Sequence, residues 1–363
     1  MLSFEELRRY YSGRRVLVTG STGFKGSWLC RTLALLGAEV TGYALEPPTI
    51  PSLWREAGLK DCVHQITADV RDIGVLHSAF AETHPQTVFH LAAQPLVLES
   101  YERPRHTYEV NVMGTVNLLD CVCENPSVTS VVNVTTDKVY ENLEVSGHAF
   151  VETERLDGFD PYSNSKSCSE LITSTYVRSF LAPSGWGDAA GRCAVSTARA
   201  GNVIGGGDFA AKRIIPDCVK VALAGETLVL RNPDSIRPYQ HVLEPVCAYI
   251  LLAAMQDADR SLAGPYNIGP DREDCITTGM LANMFSDAWG EGFSWEVSGS
   301  GGPHEAGLLM LDTTKAHDLL GWRSRWGVSK AIQRTVDWTR AWKMGYAREE
   351  MDAQIFDYLG ELV

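Results

Sequence analysis

Short apolar runs recur along this chain, several of them closed by glycine, threonine or aspartate. Residues 14–20, RRVLVTG, predict a buried strand ending in glycine. Residues 27–37, SWLCRTLALLG, place apolar positions at helical spacing before a glycine stop. AEVTGYAL then predicts a second strand. Strand, helix and strand in that order form a βαβ unit with parallel strands and a right-handed crossover. Further strands are predicted at 64–69 (HQITAD), 87–93 (TVFHLAA), 130–136 (SVVNVTT) and 194–200 (AVSTARA). Helical patterns separate them, including 74–82 and 107–125. The alternation runs to about residue 200 and predicts an α/β fold, a Rossmann-type doubly wound parallel sheet.

Beyond that point the pattern changes. Three consecutive glycines, Gly205 to Gly207, mark a loop. IIPDCVKVALAG predicts a helix and TLVLRNP a short strand, and the last third mixes helices with short strands. The expected division is residues 1–200 as a dinucleotide-binding domain, with short segments returning to it, and 201–363 mainly as a smaller substrate-binding lobe. No internal repeat or low-complexity tract interrupts the chain.

Charge and cysteine content narrow the classes. The formal net charge of −13 argues against nonspecific nucleic-acid binding, but leaves room for an anionic small molecule held by a few placed arginines. No apolar run is long enough to suggest a membrane span, and the first residues lack the apolar stretch of a signal peptide. The nine cysteines are scattered, with only C-x-C at Cys121 and Cys123 and Cys62 near His64. Reduced thiols in the cytoplasm and no metal site are expected.

Three motifs carry chemistry. Gly20-Ser21-Thr22-Gly23-Phe24-Lys25-Gly26 lies between a strand and a helix, where glycines let a pyrophosphate approach backbone N–H groups. At the end of the next strand Ala44 stands where a ribose-binding acid is expected, and Glu46 is the nearest carboxylate. With no arginine in 40–50 to await a 2′-phosphate, NAD is expected rather than NADP. Asp69 closes another strand and could meet the adenine. Tyr162 and Lys166 are four residues apart on a predicted helix, so they share a face. The ammonium can lower the phenol pKa and let the tyrosinate act as base for a sugar hydroxyl. Finally, the strand at 130–136 runs into Thr136, Asp137 and Lys138, two hydrophilic charges directly after a buried strand.

With RVLVTGSTGFKGSWL, VFHLAAQPLV, NVMGTVNLL, VTTDKVYEN, FDPYSNSKSCSEL, ARAGNVIGGGDFA and RNPDSIRPYQHVLEP, the chain resembles the extended short-chain dehydrogenase/reductases that act on nucleotide sugars. Within them it is most similar to the branch that dehydrates CDP-glucose. The resemblance implies that Gly20, Thr22, Gly23, Phe24, Lys25 and Gly26 hold the NAD pyrophosphate region. It places Glu46, Asp69 and Val70 on the adenosine side. Leu91, Ala92, Ala93, Asn111 and Thr135 would line or support the cofactor cleft. Thr136, Tyr162 and Lys166 match the family's catalytic set, with Tyr162 and Lys166 also touching the cofactor. Gln94, Asn202, Arg213, Ile215, Pro216, Arg231, Arg237 and His304 fall on the substrate side, with Asn202 and Arg237 toward the diphosphate.

The implied reaction is a 4,6-dehydration: oxidation at C4, loss of water across C5–C6, and hydride return to C6. Asp137 would protonate the departing C6 hydroxyl. Lys138 would take the C5 proton, or orient groups without taking it. A homodimer or dimer of dimers, paired through the helices that contain NVMGTVNLL and YSNSKSCSEL, is also implied. Two stretches depart from the branch. Residues 143–152, LEVSGHAFVE, lack its tryptophans and carry His148 instead, and PHEAGLLMLD lacks its aromatic. Other readings on the same scaffold are a nucleotide-sugar 4-epimerase or reductase, a 4,6-dehydratase for another nucleotide sugar, and a noncatalytic NAD-binding regulator.

Overall fold

The computed structural model describes residues 2–145, 147–297 and 309–360. Its centre is a seven-stranded sheet. The strands are β1 (Arg15–Thr19), β2 (Glu39–Ala44), β3 (His64–Thr67), β4 (Thr87–His90), β5 (Ser130–Val134), β6 (Ala194–Ala200) and, after a long excursion, β10 (Pro265–Ile268). Their spatial order is β3-β2-β1-β4-β5-β6-β10, and every neighbouring pair is parallel. The doubly wound sheet expected from the apolar runs is present. Strand order reverses between β1 and β4, and in such sheets ligands bind in the crevice at that reversal, beyond the carboxyl ends of the strands.

Both faces of the sheet are covered, so its inner strands are apolar throughout rather than alternating. β1 and β4 bury Leu17, Val18, Val88 and Phe89, and β5 buries all five of its residues. The Phe24–Leu35 helix packs Trp28 and Leu29 on one side. The Leu243–Ala258 helix is buried on nearly every side, because it lies against β5, β6 and the Phe24–Leu35 helix. That helix, β10, and the Ala347–Gly360 helix all join the core of the sheet, although they follow residue 200.

A second apolar cluster draws together Ile204, Ile215, Leu228, Tyr239, Leu281, Phe285 and Ile332. Around it lie β7 (Asn202–Ile204), β8 (Thr227–Leu230), β9 (Ile236–His241), β11 (Cys275–Thr277) and β12 (Ser294–Val297). β9 pairs with β7 and β11, and β8 with β12. Between residues 104 and 124 the expected single helix is interrupted by a π-helical stretch, Glu109–Met113. Such widened turns often mark functional sites, and this one carries Asn111. No helix among the described residues is long and apolar enough to cross a membrane.

Candidate active site

The glycine turn closes β1. Gly20 has φ of +73°, and a Cβ there would lie 2.8 Å from the Ala92 nitrogen. A Cβ on Gly26 would come within 2.1 Å of the Gly20 carbonyl oxygen, so only glycine lets the helix start this close to the turn. Gly23 is the N-cap of the Phe24–Leu35 helix, carries no side-chain cap, and would meet nothing nearer than that carbonyl, at 3.3 Å. An uncapped helix N-terminus lined by glycine backbone fits a dinucleotide pyrophosphate. Thr22 donates its hydroxyl to the Leu45 carbonyl at 2.9 Å and so ties the turn to the end of β2. Phe24 is half-buried against the core.

On the adenosine side, Ala44 is buried at the end of β2, and Glu46 is exposed and paired with Arg55 at 3.3 Å. Asp69 accepts from the backbone and guanidinium of Arg71, which hold its carboxyl below the usual range. Val70 is buried against Gly114, where a Cβ would approach its methyl at 2.7 Å. After β4, the Thr19 hydroxyl accepts from the Leu91 and Ala92 nitrogens at 3.2 Å and contacts His90 Nδ1 at 2.8 Å. These contacts fix the path of Leu91, Ala92 and Ala93 past the glycine turn. Asn111 is 1% exposed, accepts from the Gln94 nitrogen at 2.8 Å and donates to the Gln94 carbonyl and to Ser165. Gln94 uses both amide hydrogens on Leu96 and Thr107, so it shapes this segment from within.

The chemistry gathers where β5 ends. Asp160 caps the Pro161–Tyr176 helix by accepting from the Ser163 nitrogen at 2.9 Å, with proline in the first helical position. This sets Tyr162 and Lys166 on one face toward the strand end. Lys166 Nζ donates to the Val134 carbonyl at 3.0 Å. Tyr162 hydrogen-bonds to Thr136, yet burial pushes its phenol up to about 12. Burial brings the Lys166 ammonium down to about 8, opposed by the nearby Glu170. Lys25 reaches into the same space, donates to the Tyr249 hydroxyl at 3.4 Å, and is brought down to about 8 by burial and by the charges of Lys166 and Arg213.

Thr136 starts a short 3-10 turn, Asp137–Val139, and donates to Asp137 Oδ1 at 2.9 Å. Asp137 is 1% exposed, and its Oδ2 has no hydrogen-bond partner within the protein. Burial raises its pKa, against the opposing charges of Lys138, Arg237 and Lys25 and the Thr136 hydrogen bond. The result is a carboxyl biased to hold its proton, with one oxygen free to meet a ligand. Lys138, on the same turn, is half-buried.

A model of the NAD dependent epimerase/dehydratase family matches residues 16–269. The chain belongs to the NAD dependent epimerase/dehydratase family. It is 44% identical, over 93% of its length and 94% of the relative's, to a CDP-glucose 4,6-dehydratase of Salmonella typhimurium. It is 29% identical to a dTDP-glucose 4,6-dehydratase of Streptomyces antibioticus, over 90% of this chain and 93% of that one. Among solved structures, the UDP-glucose 4-epimerase of Thermus thermophilus in complex with NAD superposes with a TM-score of 0.77 at 27% identity, covering 90% of this chain and 99% of that one. The cofactor of this family member is NAD, and the glycine cradle fits it.

Arg237 and Arg213, which both follow residue 200, carry charges that reach the residues at the end of β5 and the start of the Pro161–Tyr176 helix. Arg237 is 6% exposed on β9, and its charge acts on Asp137. Arg213 pairs with Asp208 at 3.1 Å at the start of the Ile214–Ala224 helix, and its charge reaches Tyr162 and Lys25. Asn202 is half-buried at the start of β7. Ile215 faces the second apolar cluster and Pro216 is buried beside it. Arg231 is exposed beyond β8, near Asp217. His304 lies outside the described residues.

Glu170 joins the site without a motif of its own. Thr135 is buried and donates its hydroxyl to Glu170 at 2.5 Å. Glu170, eight residues after Tyr162, and Arg199 on β6 form a buried ion pair. For Glu170 the signal in the sequence is helical spacing alone, since it follows Lys166 by four; Arg199, on a strand, has no such signal. The tryptophan-free loop is held by stacking: Phe150 lies on Tyr140 with centroids 4.8 Å apart and planes at 7°. His148 pairs with Glu154 at 2.8 Å and meets Phe150 edge-on. Among the described residues no cluster of three or more His, Cys, Asp or Glu could hold a metal.

Proposed function

We propose that this protein is a NAD-dependent 4,6-dehydratase of a nucleotide-activated hexose, converting CDP-D-glucose to CDP-4-dehydro-6-deoxy-D-glucose and water. The 44% identity to a CDP-glucose 4,6-dehydratase over nearly the full length supports the reaction and the nucleotide. The observation that carries it in the structure is Asp137, a buried carboxyl whose pKa burial raises, with an oxygen beside Thr136 that has no partner within the protein. Oxidation and re-reduction at C4 need a base but no such acid. Expulsion of a hydroxide from C6 needs an acid.

When bound, NAD supplies the hydride acceptor for C4 and the hydride donor for C6. Tyr162 takes the C4 hydroxyl proton, and the Lys166 ammonium offsets the charge on its phenolate, against the burial that pushes the phenol up to about 12. The Thr136 hydroxyl, bonded to both Tyr162 and Asp137, holds the two groups in place at the strand end. The ketone at C4 then acidifies the C5 proton. Asp137 gives its proton to the C6 hydroxyl, which leaves as water, while the C5 proton passes to Lys138 on the same turn, and Lys138 returns a proton to C5 as C6 takes up the hydride. Lys138 and Arg237 stabilise the carboxylate that Asp137 becomes, and solvent restores its proton. Arg213, Arg237 and Asn202 hold the diphosphate, so the part of the chain after residue 200 supplies most of the nucleotide-sugar site.

The same reading includes a homodimer in the cytoplasm. All nine cysteines are free thiols. Met113 and Leu171 are large apolar residues exposed on the two helical segments that flank the site, a face suited to a second copy. Light scattering of the purified protein checks the dimer.

Incubation with NAD and, side by side, CDP-, dTDP-, GDP- and UDP-glucose tests the function. The expected result is a 4-keto-6-deoxy product from CDP-glucose with the highest kcat/KM. Preference for another nucleotide would reject CDP and keep the chemistry. An epimerised sugar with no loss of water would reject dehydration.

A further inference from the structure

The reaction is divided between two elements. Tyr162 and Lys166 stand on the Pro161–Tyr176 helix, and Asp137 and Lys138 on the turn that follows β5. One sugar must meet both, so the spacing of helix and turn matters. A misplacement of about 1 Å can cost about 100-fold in rate. The approach to the turn is fixed from the helix. Lys166 donates to the Val134 carbonyl at 3.0 Å, Thr135 donates to Glu170 at 2.5 Å, and Tyr162 hydrogen-bonds to Thr136. The turn itself is loosely tied, since its cap from the Lys138 nitrogen to the Thr136 hydroxyl is 3.4 Å long.

Ser167 holds the exit. It follows Lys166 directly and is 2% exposed. A serine inside a helix commonly bonds back to the carbonyl one turn earlier. Here that carbonyl, of Ser163, lies at 3.1 Å, and the shorter bond leaves the helix: the Ser167 hydroxyl donates to the Val139 carbonyl at 2.7 Å. Val139 is the last residue of the turn, next to Lys138 and two from Asp137. The Ser167 oxygen also accepts from the Gly158 nitrogen at 3.1 Å, and the Val139 carbonyl accepts from the Asp157 nitrogen at 3.0 Å. Gly158 allows no slack, because a Cβ there would lie 2.4 Å from the Ser163 carbonyl carbon. One buried hydroxyl thus joins the helix, the end of the turn and the chain that returns to the start of the helix.

We propose that Ser167 is a positioning residue: its hydroxyl sets the spacing between the turn that carries Asp137 and Lys138 and the helix that carries Tyr162 and Lys166, so that elimination can follow oxidation on one bound sugar. The inference rests on the reading of the protein as a 4,6-dehydratase. Ser167 acts through the Val139 carbonyl. Oxidation uses the helix pair and Thr136, whose own bonds survive the loss of this hydroxyl. Elimination uses the turn, whose exit does not stay fixed without it.

Single turnovers of Ser167→Ala, followed by the absorbance of reduced nicotinamide, test the proposal. The signal should rise within about twofold of the unaltered rate and decay about tenfold or more slower. Thr173→Ala is the control for a structural effect. Thr173 is also 2% exposed on this helix, accepts from Asn133 Nδ2 at 2.8 Å and donates to the Ser169 carbonyl at 2.8 Å. Its loss should lower Tm as Ser167→Ala does, with no split between rise and decay. Ser167→Cys keeps the volume with a weak donor. It should show the same split, smaller, and serves where the alanine variant does not fold. Rise and decay slowed alike in the Ser167 variants, neither of them slowed, or the same split in Thr173→Ala overturns the proposal and leaves Ser167 a structural hydroxyl. The unaltered protein is run first on CDP-, dTDP-, GDP- and UDP-glucose, and the variants on whichever of these it dehydrates. Dehydration of none is a failure seen in the unaltered protein, and it rejects the 4,6-dehydratase reading and the proposal with it.

Discussion

Replacing Asp137 with asparagine separates elimination from oxidation. The side chain is 1% exposed and nearly isosteric with asparagine, and its Oδ1 keeps the Thr136 hydrogen bond. Only the transferable proton is lost. General acid catalysis contributes roughly 10²–10⁴ in rate, so kcat should fall by that factor, equivalent to about 3–5 kcal/mol of transition-state stabilisation. Tyr162, Lys166 and Thr136 remain, so C4 oxidation should proceed. In a single turnover the absorbance of reduced nicotinamide should rise and persist, where the unaltered protein returns it to baseline.

Stability should move the other way. The folded pKa of Asp137 is raised, so its favourable contribution is complete below the unfolded value and is lost as pH rises through the folded one. At neutral pH the carboxyl is a cost, and Asp137→Asn should leave Tm unchanged or higher. Full activity in the variant would refute the acid role. Equal loss of both steps, with no persistent absorbance, would place Asp137 in oxidation instead.

Gly26→Ala puts a methyl 2.1 Å from the Gly20 carbonyl, so the turn must open; NAD binding, followed by fluorescence quenching or calorimetry, should weaken by at least about tenfold. In the unaltered protein kcat should fall as pH rises above about 8, because Lys166 and Lys25 lose their protons there, and a profile flat to pH 10 would contradict the charged-lysine requirement. Phe150→Ala removes the ring stacked on Tyr140 and should lower stability by about 3 kcal/mol or more in denaturant unfolding, together with a higher KM for the nucleotide sugar. Arg237→Met should raise KM for CDP-glucose at least tenfold with a smaller change in kcat, since a phosphate-clamping guanidinium acts mainly in binding.

The sheet was legible because its inner strands are buried on both faces and read as apolar runs that end in glycine, threonine or aspartate. β1, β5 and β6 announce themselves in this way, β2 and β4 by their apolar runs alone, and the edge strand β3 by the Asp69 that follows it. β10 does not: it is four residues long, begins with proline, and is a strand only because β6 offers it an open edge. The Leu243–Ala258 helix is apolar all round, so periodicity could not say which face it buries or that it belongs with the sheet. The π-helical stretch that carries Asn111 is set by contacts with Gln94 and Ser165, which lie 17 and 54 residues away in the chain.

The site divides along the same line. Gly20, Gly23, Gly26, Tyr162 and Lys166 stand at spacings fixed by local geometry, so motifs reveal them. Glu170, Arg199, Tyr140 and Tyr249 come from separate elements and meet only in the folded chain. Nor does a motif show direction. Thr135 and Thr136 are adjacent and alike, yet one donates to Glu170 and the other to Asp137, because neighbours at a strand end point to opposite sides. Glu46 and Asp69 carry local partners, Arg55 and Arg71, that sequence distance alone did not assign.

The most direct test of dehydration uses CDP-glucose with deuterium at C4. The account requires the hydrogen taken from C4 to be returned to C6 of the same sugar. The product should therefore be lighter than the substrate by one water and carry its deuterium on the C6 methyl group, as read by mass spectrometry and NMR. A sugar that keeps its water and its deuterium at C4 would contradict the account.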